Sequence, residues 1–289
     1  MRSDLLLESI AKKMKKLFRI LLPKALFEFM SQKWRKLKRN WVLNRSVTVT
    51  MPEFPHRQFV LKGVPPDSTL ERSIWTYGLY EPFLVKRIIG VTSCHDSFLD
   101  VGADIGYYSA LFSKIVGSHR VTALEPDHER RHWLQKNVNS RVRIVDKFLT
   151  GDTDSDYQIS LDTYVRRNAP PSVIKMDTEG GEADVILQSE YIKEYRPRLF
   201  VEVHPPEIQQ INPTYTEHML DCLFSLYKVE FIRNHWGVVK NKGSRSVADQ
   251  PGCYEWRLVD HEELTKIVED ILKNNTMPRA FALHCFSSR

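Results

Sequence analysis

Three short stretches of this chain gather the side chains that could bind a nucleotide-like ligand or move a proton. The first is Asp100-Val-Gly102-Ala-Asp104-Ile-Gly106-Tyr107, joined by Glu125 19 positions beyond Gly106; the others are Lys175-Met-Asp177-Thr-Glu179 and Glu202-Val-His204. An apolar strand that ends in a glycine turn and opens a helix, followed by an acid at the end of the next strand, makes a ligand crevice at the carboxyl edge of a parallel sheet. Gly102 and Gly106 let the backbone approach a ligand with no Cβ in the way. Glu125 is placed to accept hydrogen bonds from both hydroxyls of a ribose.

The glycine spacing then separates two cofactor readings. A dinucleotide turn needs G-x-G-x-x-G, so that a pyrophosphate rests on the helix N-terminus. Here the pattern is D-x-G-x-x-x-G, with Asp104 in its middle. Asp100 and Asp104 would repel a pyrophosphate and favour a ligand carrying an ammonium and a sulfonium, so charge selects S-adenosylmethionine over NAD. Phe148, after the third strand, stands where an adenine ring would stack, and Tyr107 borders the donor; ordinary packing is the alternative for both. Methyl transfer from a sulfonium is an in-line displacement whose rate comes largely from positioning. A hydroxyl acceptor also needs a base for its proton. Asp177 and His204 end neighbouring strands, which makes His204 the chosen general base and Asp177 its orienting acid, in contact with donor or acceptor. Glu179 is a further acceptor contact, and capping of the next helix is the competing role for Asp177. Lys175 reads as a buried ion-pair partner. Asp177, Glu179 and His204 make a thin ligand set for a divalent ion, and no metal is expected. The Asn- or Asp-Pro-Pro-aromatic turn that methylates nucleic-acid bases is replaced at 177–181 by Asp-Thr-Glu-Gly-Gly, so no nucleic-acid substrate is expected.

Such residues need a scaffold that holds strand ends side by side. Strand-like runs at 98–102, 120–126, 142–148, 172–177 and 199–204 alternate with helical runs at 106–116, 127–138, 161–167 and 182–194, the spacing of βαβ crossovers. The expected fold is α/β, a doubly wound, mostly parallel, seven-stranded Rossmann-like sheet, completed by strands at 227–233 and 254–260 after a helix near 215–226. Ahead of it stand a β-hairpin from 46–51 and 56–62 and a helical stretch, 69–89, interrupted at Gly78. The expected divisions are a basic amphipathic helical arm (1–45), the hairpin and helical lead-in (46–90), the main domain (91–260), and a C-terminal helix and tail (261–289). A long polar loop occupies 237–253.

With 289 residues, 42% hydrophobic and 27% charged, the chain is neither collagen-like nor wholly disordered. Its net charge of +6 hides an asymmetry: residues 1–45 hold 13 basic and 3 acidic side chains, leaving 29 against 33 for the rest. A mildly acidic body is not a nucleic-acid clamp. The basic arm suits an anionic membrane surface, or else packs on the body or on a second copy of the chain, which leaves a homo-oligomer open. Cys94, Cys222, Cys253 and Cys285 lack paired spacing and read as free thiols of a reducing compartment. With Lys12, Lys13, Lys15, Lys16 and Arg19 so near the start, no secretory signal is expected, and Arg19, Lys24 and Glu28 break the longest apolar stretch. The expected location is cytoplasmic, peripheral at the inner membrane surface.

In order along the chain, DVGADIGYYS (100–109), LEPD (124–127), LDTYV (161–165), IKMDTEGGEADVI (174–186) and VEVHP (201–205), with GLYEP (78–82) ahead of them, resemble the FkbM family of class I S-adenosylmethionine-dependent methyltransferases. The resemblance covers roughly residues 75–235. It implies a doubly wound seven-stranded sheet and O-methyl transfer to substrates that include sugar and macrolide hydroxyls. It also implies Asp100, Gly102 and Gly106 at the methionine end of the donor, with Glu125 on its ribose. Asp104 stands where the family usually has Asn. The short link from Phe148 to Ser160 omits strands that shape the acceptor pocket in many members. The expected function is O-methylation of a hydroxyl on a sugar, glycolipid or secondary metabolite. The alternative is a membrane-associated, methyltransferase-like binding protein without turnover.

Overall fold

Short runs of apolar and β-branched residues, such as Phe98-Leu-Asp-Val101 and Val173-Ile-Lys-Met176, are buried at every position, which only a strand covered on both faces allows. The computed structural model describes residues 46–51, 54–65, 68–235, 254–274 and 279–287, all within the unit Ser46–Arg289. The arm expected at 1–45 and the polar loop at 237–253 lie outside the described residues.

Strands β1 (Ser46–Met51) and β2 (Phe54–Lys62) pair as an antiparallel hairpin. Helix α1 (Thr69–Tyr77) begins where the Ser68 hydroxyl accepts from the Glu71 N–H at 3.1 Å and stops at Gly78, whose φ of 77° is a left-handed cap. Helix α2 (Pro82–Val91) follows. The alternating region then runs β3 (Phe98–Val101), α3 (Tyr107–Ser113), β4 (Val121–Leu124), α4 (His128–Asn137) and β5 (Arg143–Val145). Next come β6 (Phe148–Thr150), β7 (Gln158–Ser160), α5 (Leu161–Arg167), β8 (Val173–Met176), α6 (Glu182–Gln188), α7 (Glu190–Tyr195) and β9 (Arg198–Val203). The remainder is α8 (Pro205–Ile211), α9 (Tyr215–Leu226), β10 (Lys228–Ile232), β11 (Arg257–Leu258), α10 (His261–Asn274) and β12 (Phe281–Phe286).

The main sheet has the order β11-β10-β12-β9-β8-β3-β4-β5. From β5 to β9 all neighbours are parallel, whereas β12 runs antiparallel to both β9 and β10. The chain first winds outward from β3 to β5 and then restarts at β8 on the other side of β3. That reversal opens a crevice beyond the carboxyl ends of β3 and β8, where ligands of open α/β sheets bind. One face of the sheet packs Leu99, Val101, Ile174 and Met176 against the helices on their side; the other packs Phe98, Val121, Val173 and Phe200, with the Phe98 and Phe112 rings stacked at 4.2 Å.

The structure departs from the sequence expectation in three places. Residues 142–148 are not one strand: β5 ends at Val145, and Phe148 starts a separate two-stranded sheet of β6 and β7. Residues 182–194 form two helices, because Ser189 caps α7 by accepting from the Ile192 N–H at 3.3 Å. Of 254–260 only Arg257–Leu258 is strand, pairing with β10 at the sheet edge, and β12 inserts between β9 and β10, so the sheet has eight strands where seven are expected. Among the described residues no helix is long and apolar enough to cross a membrane.

Candidate active site

On the β3–β4 side, the site is made by the backbone. Gly102 (φ 76°), Asp104 (φ 49°) and Gly106 (φ 89°) all take left-handed conformations, which curl the loop over the end of β3. A Cβ on Gly102 would lie 1.9 Å from the Asp177 carbonyl oxygen, so the loop and the β8 end touch backbone to backbone. The Asp104 N–H donates to Glu125 Oε2 at 2.8 Å and the Asp127 N–H to Oε1 at 2.8 Å. Burial raises the Glu125 carboxyl, opposed by those two N–H donors. Each of its oxygens retains a further lone-pair direction. The hairpin steadies this loop from outside: Asn137 Nδ2 donates to the carbonyls of Lys62 and Ile105 at 2.9 and 2.8 Å.

The loop, Glu125 and the β8 end border a cleft of about 820 Å³. Gly102, Asp104, Tyr107, Glu125, Phe148, Asp177 and Glu179 all line it. Phe148 is 57% exposed, a ring standing at the cleft wall rather than in the core. The Tyr107 hydroxyl is held by the Tyr80 backbone, accepting from its N–H at 3.0 Å and donating to its carbonyl at 3.1 Å. Asp100 does not line the cleft. It is fully buried under the loop, accepts from the Ser109 hydroxyl at 2.6 Å, and has its carboxyl raised by burial. Gly106 caps α3 against Leu134, which a Cβ would approach to 2.6 Å.

At the ends of β8 and β9 the site is made instead by charge. Strand alternation puts Lys175 and Asp177 on one side of β8, and Glu202 and His204 on one side of β9. Lys175 Nζ stands 3.3 Å from Asp177 Oδ2 and 4.7 Å from the Tyr108 ring centroid. Burial works against the Lys175 ammonium, but the charges of Asp177, Asp100, Glu81 and Glu202 hold it protonated. Burial also opposes the Asp177 carboxylate, yet Lys175 and His204 keep its pKa below the usual value. Burial and then the neighbouring Asp177 charge push Glu202 well above the carboxylate range. Glu182, fully buried at the start of α6, accepts from Thr178 Oγ1 (2.9 Å), the Gly180 N–H (2.8 Å) and the His204 N–H (2.9 Å).

His204 is therefore ringed by acids, and its expected role changes. Burial alone would lower the ring, but the Glu182 hydrogen bond and the charges of Glu202, Glu182 and Asp177 outweigh it and push it up to about 9. An imidazolium at neutral pH has no lone pair to offer, so His204 is not a ready general base. Nor does Asp177 orient it: Asp177 Oδ1 lies 3.9 Å from Nε2, while Glu182 Oε1 lies 3.3 Å from Nδ1. Glu179 sits apart in a left-handed, exposed position at the cleft rim.

Further members escape a reading by spacing. Buried Glu81 accepts from the Tyr108 hydroxyl, and burial, then the charge of Glu202, pushes it up to about 7. His235 lies 3.3 Å from Glu202 Oε2, with burial driving its ring down to about 4. Glu81 lies within GLYEP and Glu182 within IKMDTEGGEADVI, but neither string shows that its acid meets His204 or Glu202, and His235 lies outside every quoted string.

Residues 152–231 match the methyltransferase FkbM domain model. No curated protein sequence matches the chain. Among solved structures, an FkbM methyltransferase from Methylobacillus flagellatus is similar at 22% identity and a TM-score of 0.40, over 51% of this chain and 44% of that one. The precorrin-6y C5,15-methyltransferase of Geobacter metallireducens is similar at 14% identity and 0.43, over 72% and 87%. A possible histamine N-methyltransferase of Thermotoga maritima is similar at 10% and 0.37, over 75% and 93%. The chain thus spans less than half the length of the Methylobacillus protein.

Proposed function

We propose, from the match of residues 152–231 to the methyltransferase FkbM domain, that the chain is an FkbM-type methyltransferase and transfers a methyl group from S-adenosylmethionine to a hydroxyl of a sugar, glycolipid or secondary metabolite. The observation that carries this reading is Glu125: its two oxygens are fixed by the N–H groups of Asp104 and Asp127 at the wall of a cleft large enough for the donor. The remaining lone pairs suit the two hydroxyls of a ribose. Gly102 turns the loop at the cleft wall beside the donor's methionine end, Gly106 packs behind it on Leu134, Tyr107 borders the donor, and Phe148 offers a ring for the adenine. Asp104, on the cleft wall, favours its cationic end. Asp100 acts from beneath by holding Ser109 and the loop.

In the reaction the acceptor oxygen attacks the methyl carbon while the carbon–sulfur bond breaks. The electron pair goes to sulfur, the sulfonium becomes a neutral thioether, and the hydroxyl proton passes to the Asp177 carboxylate and from there to water. Asp177, at the cleft, accepts the hydrogen bond of that hydroxyl, and Glu179 at the rim meets a second hydroxyl of the acceptor. His204 keeps the neighbouring carboxylates in register. The basic residues of 1–45 hold the protein at an anionic membrane surface on the cytoplasmic side, where lipid-linked acceptors are found.

Two measurements test the reading. Calorimetric titration with S-adenosylmethionine is expected to give one site per chain, and labelled methyl is expected on a member of a panel of glycan and lipid hydroxyls. A chain that does not bind the donor contradicts the proposal at its root.

A further inference from the structure

Beside the cleft, three side chains bring one atom each toward a common point, and a buried polar side chain stands behind each of them. His204 Nε2 faces Glu202 Oε1 at 3.6 Å and Asp177 Oδ1 at 3.9 Å. Both separations are too long for hydrogen bonds, and the three atoms all lie within 4.8 Å of one another. Ligand atoms bonded to one ion at roughly 2.0–2.2 Å stand about 3 Å apart when adjacent and about 4.3 Å apart when opposed, and the two spacings from Nε2, 3.6 and 3.9 Å, fall in that interval.

The supports behind these atoms are buried. Glu182 Oε1 lies 3.3 Å from His204 Nδ1 and turns Nε2 toward the point, the carboxylate–histidine arrangement that orients metal-ligating rings. Lys175 Nζ holds Asp177 Oδ2 at 3.3 Å, and His235 Nε2 stands 3.3 Å from Glu202 Oε2. Relative exposures of Glu182, His235 and Lys175 are 0%, 0% and 3%, so the supports are rigid parts of the core. Asp177 also lines the cleft, which gives the point an entry path.

We propose that Asp177, Glu202 and His204 bind one divalent cation of the magnesium or manganese class. Two carboxylates balance one dication, and a set of two oxygens and one nitrogen with no thiolate disfavours a structural zinc site. A proton on Nε2 and a dication at the common point are alternative answers to the same two carboxylates. The neighbouring group of Glu81, Glu202 and His235 is closed to solvent at all three residues, and Glu81 is engaged by Tyr108, so it serves as backing. Ion binding stands on the side-chain geometry alone. Its task, to orient the acceptor hydroxyl and make it more acidic, rests on the methyl-transfer reading.

The test uses the full-length chain after chelator treatment, titrated with Mn²⁺ alone while the electron paramagnetic resonance signal of free Mn²⁺ is followed. Saturable binding of one ion per chain is expected. Asp177→Asn, whose side chain is partly exposed, and His204→Ala should each weaken it at least tenfold, and Glu182→Gln roughly tenfold through the ring it orients. Melting temperature and S-adenosylmethionine affinity are measured on every variant, so that a misfolded protein is recognised. Absence of saturable Mn²⁺ binding by the parent, or unchanged binding in both Asp177→Asn and His204→Ala, overturns the site. Donor binding without Mn²⁺ binding removes the ion and leaves methyl transfer standing; Mn²⁺ binding without donor binding does the reverse.

Discussion

The two halves of the cleft are built on different principles. The β3–β4 half depends on backbone: left-handed residues at 102, 104 and 106, a 1.9 Å limit on any Cβ at Gly102, and N–H groups that fix one carboxylate. The β8–β9 half depends on side-chain charge, with Lys175, Asp177, Glu182, Glu202 and His204 compensating one another and Glu81 and His235 closing the group behind. A backbone-made half can hold an invariant part of a ligand, because its shape does not depend on titration or rotamers. A charge-made half can be retuned one residue at a time, which suits an acceptor.

Changes on either side should differ in kind. The largest effect is expected for Gly102→Ala, which adds a Cβ where the Asp177 carbonyl stands and forces a non-glycine residue to φ 76°. Strain and overpacking together should cost roughly 2–5 kcal/mol of stability, and donor affinity should fall at least 100-fold; calorimetry and thermal melting report both. A mild phenotype would mean that the two halves do not abut. On the charged side, Glu81→Gln tests self-compensation. Burial, then Glu202, raises the folded-state Glu81 carboxyl from its ordinary 4.5 to about 7, so the unfolded chain loses this proton first and stability falls as pH rises from about 4.5 to 7. Above that window the wild-type acid costs on the order of 3 kcal/mol. The variant should gain little at pH 4 and most at pH 8 in denaturant melts, and an equal difference at both values would break the account. Glu125→Ala orphans the Asp104 and Asp127 N–H groups and removes the ribose contacts, for about 2–3 kcal/mol of donor binding, or roughly 30- to 150-fold in Kd. Phe148→Ala should be the gentlest: the ring is 57% exposed, so stability is nearly unchanged, and lost stacking of about 1 kcal/mol weakens the donor roughly fivefold.

The same contrast explains what was legible in the sequence. Glycine spacing and a following acid encode a backbone-made site locally, so Gly102, Gly106 and Glu125 could be read from one stretch and its next strand. Asp177 and His204 were visible as strand-end residues, but the chemistry of His204 was not, because its charge state is set by Glu182 and Glu202 together. Glu81 and His235 join the group only through tertiary packing. In the fold, β12 escaped notice because Phe-Ala-Leu-His-Cys-Phe follows a helix at the end of the chain and pairs antiparallel with two distant strands, while His284 interrupts its apolar run. That His is accommodated by stacking on Phe200 at 4.5 Å and by Glu230 Oε2 at 2.8 Å from Nδ1, a solution no local pattern announces. Phe148 is expected at the end of the third strand, yet the strand stops before Asp146 and Lys147, and Lys147 Nζ donates to the carbonyls of Ser155 and Asp156, tying β6 to the turn before β7.

The sharpest trial of a division between donor and acceptor halves is the S-adenosylmethionine affinity of His204→Ala, measured by calorimetry beside the parent. Donor binding within threefold of the parent, together with a loss of methyl transfer, is the predicted result. A fall in donor affinity as deep as that of Glu125→Ala would contradict the division and merge the two halves into one site.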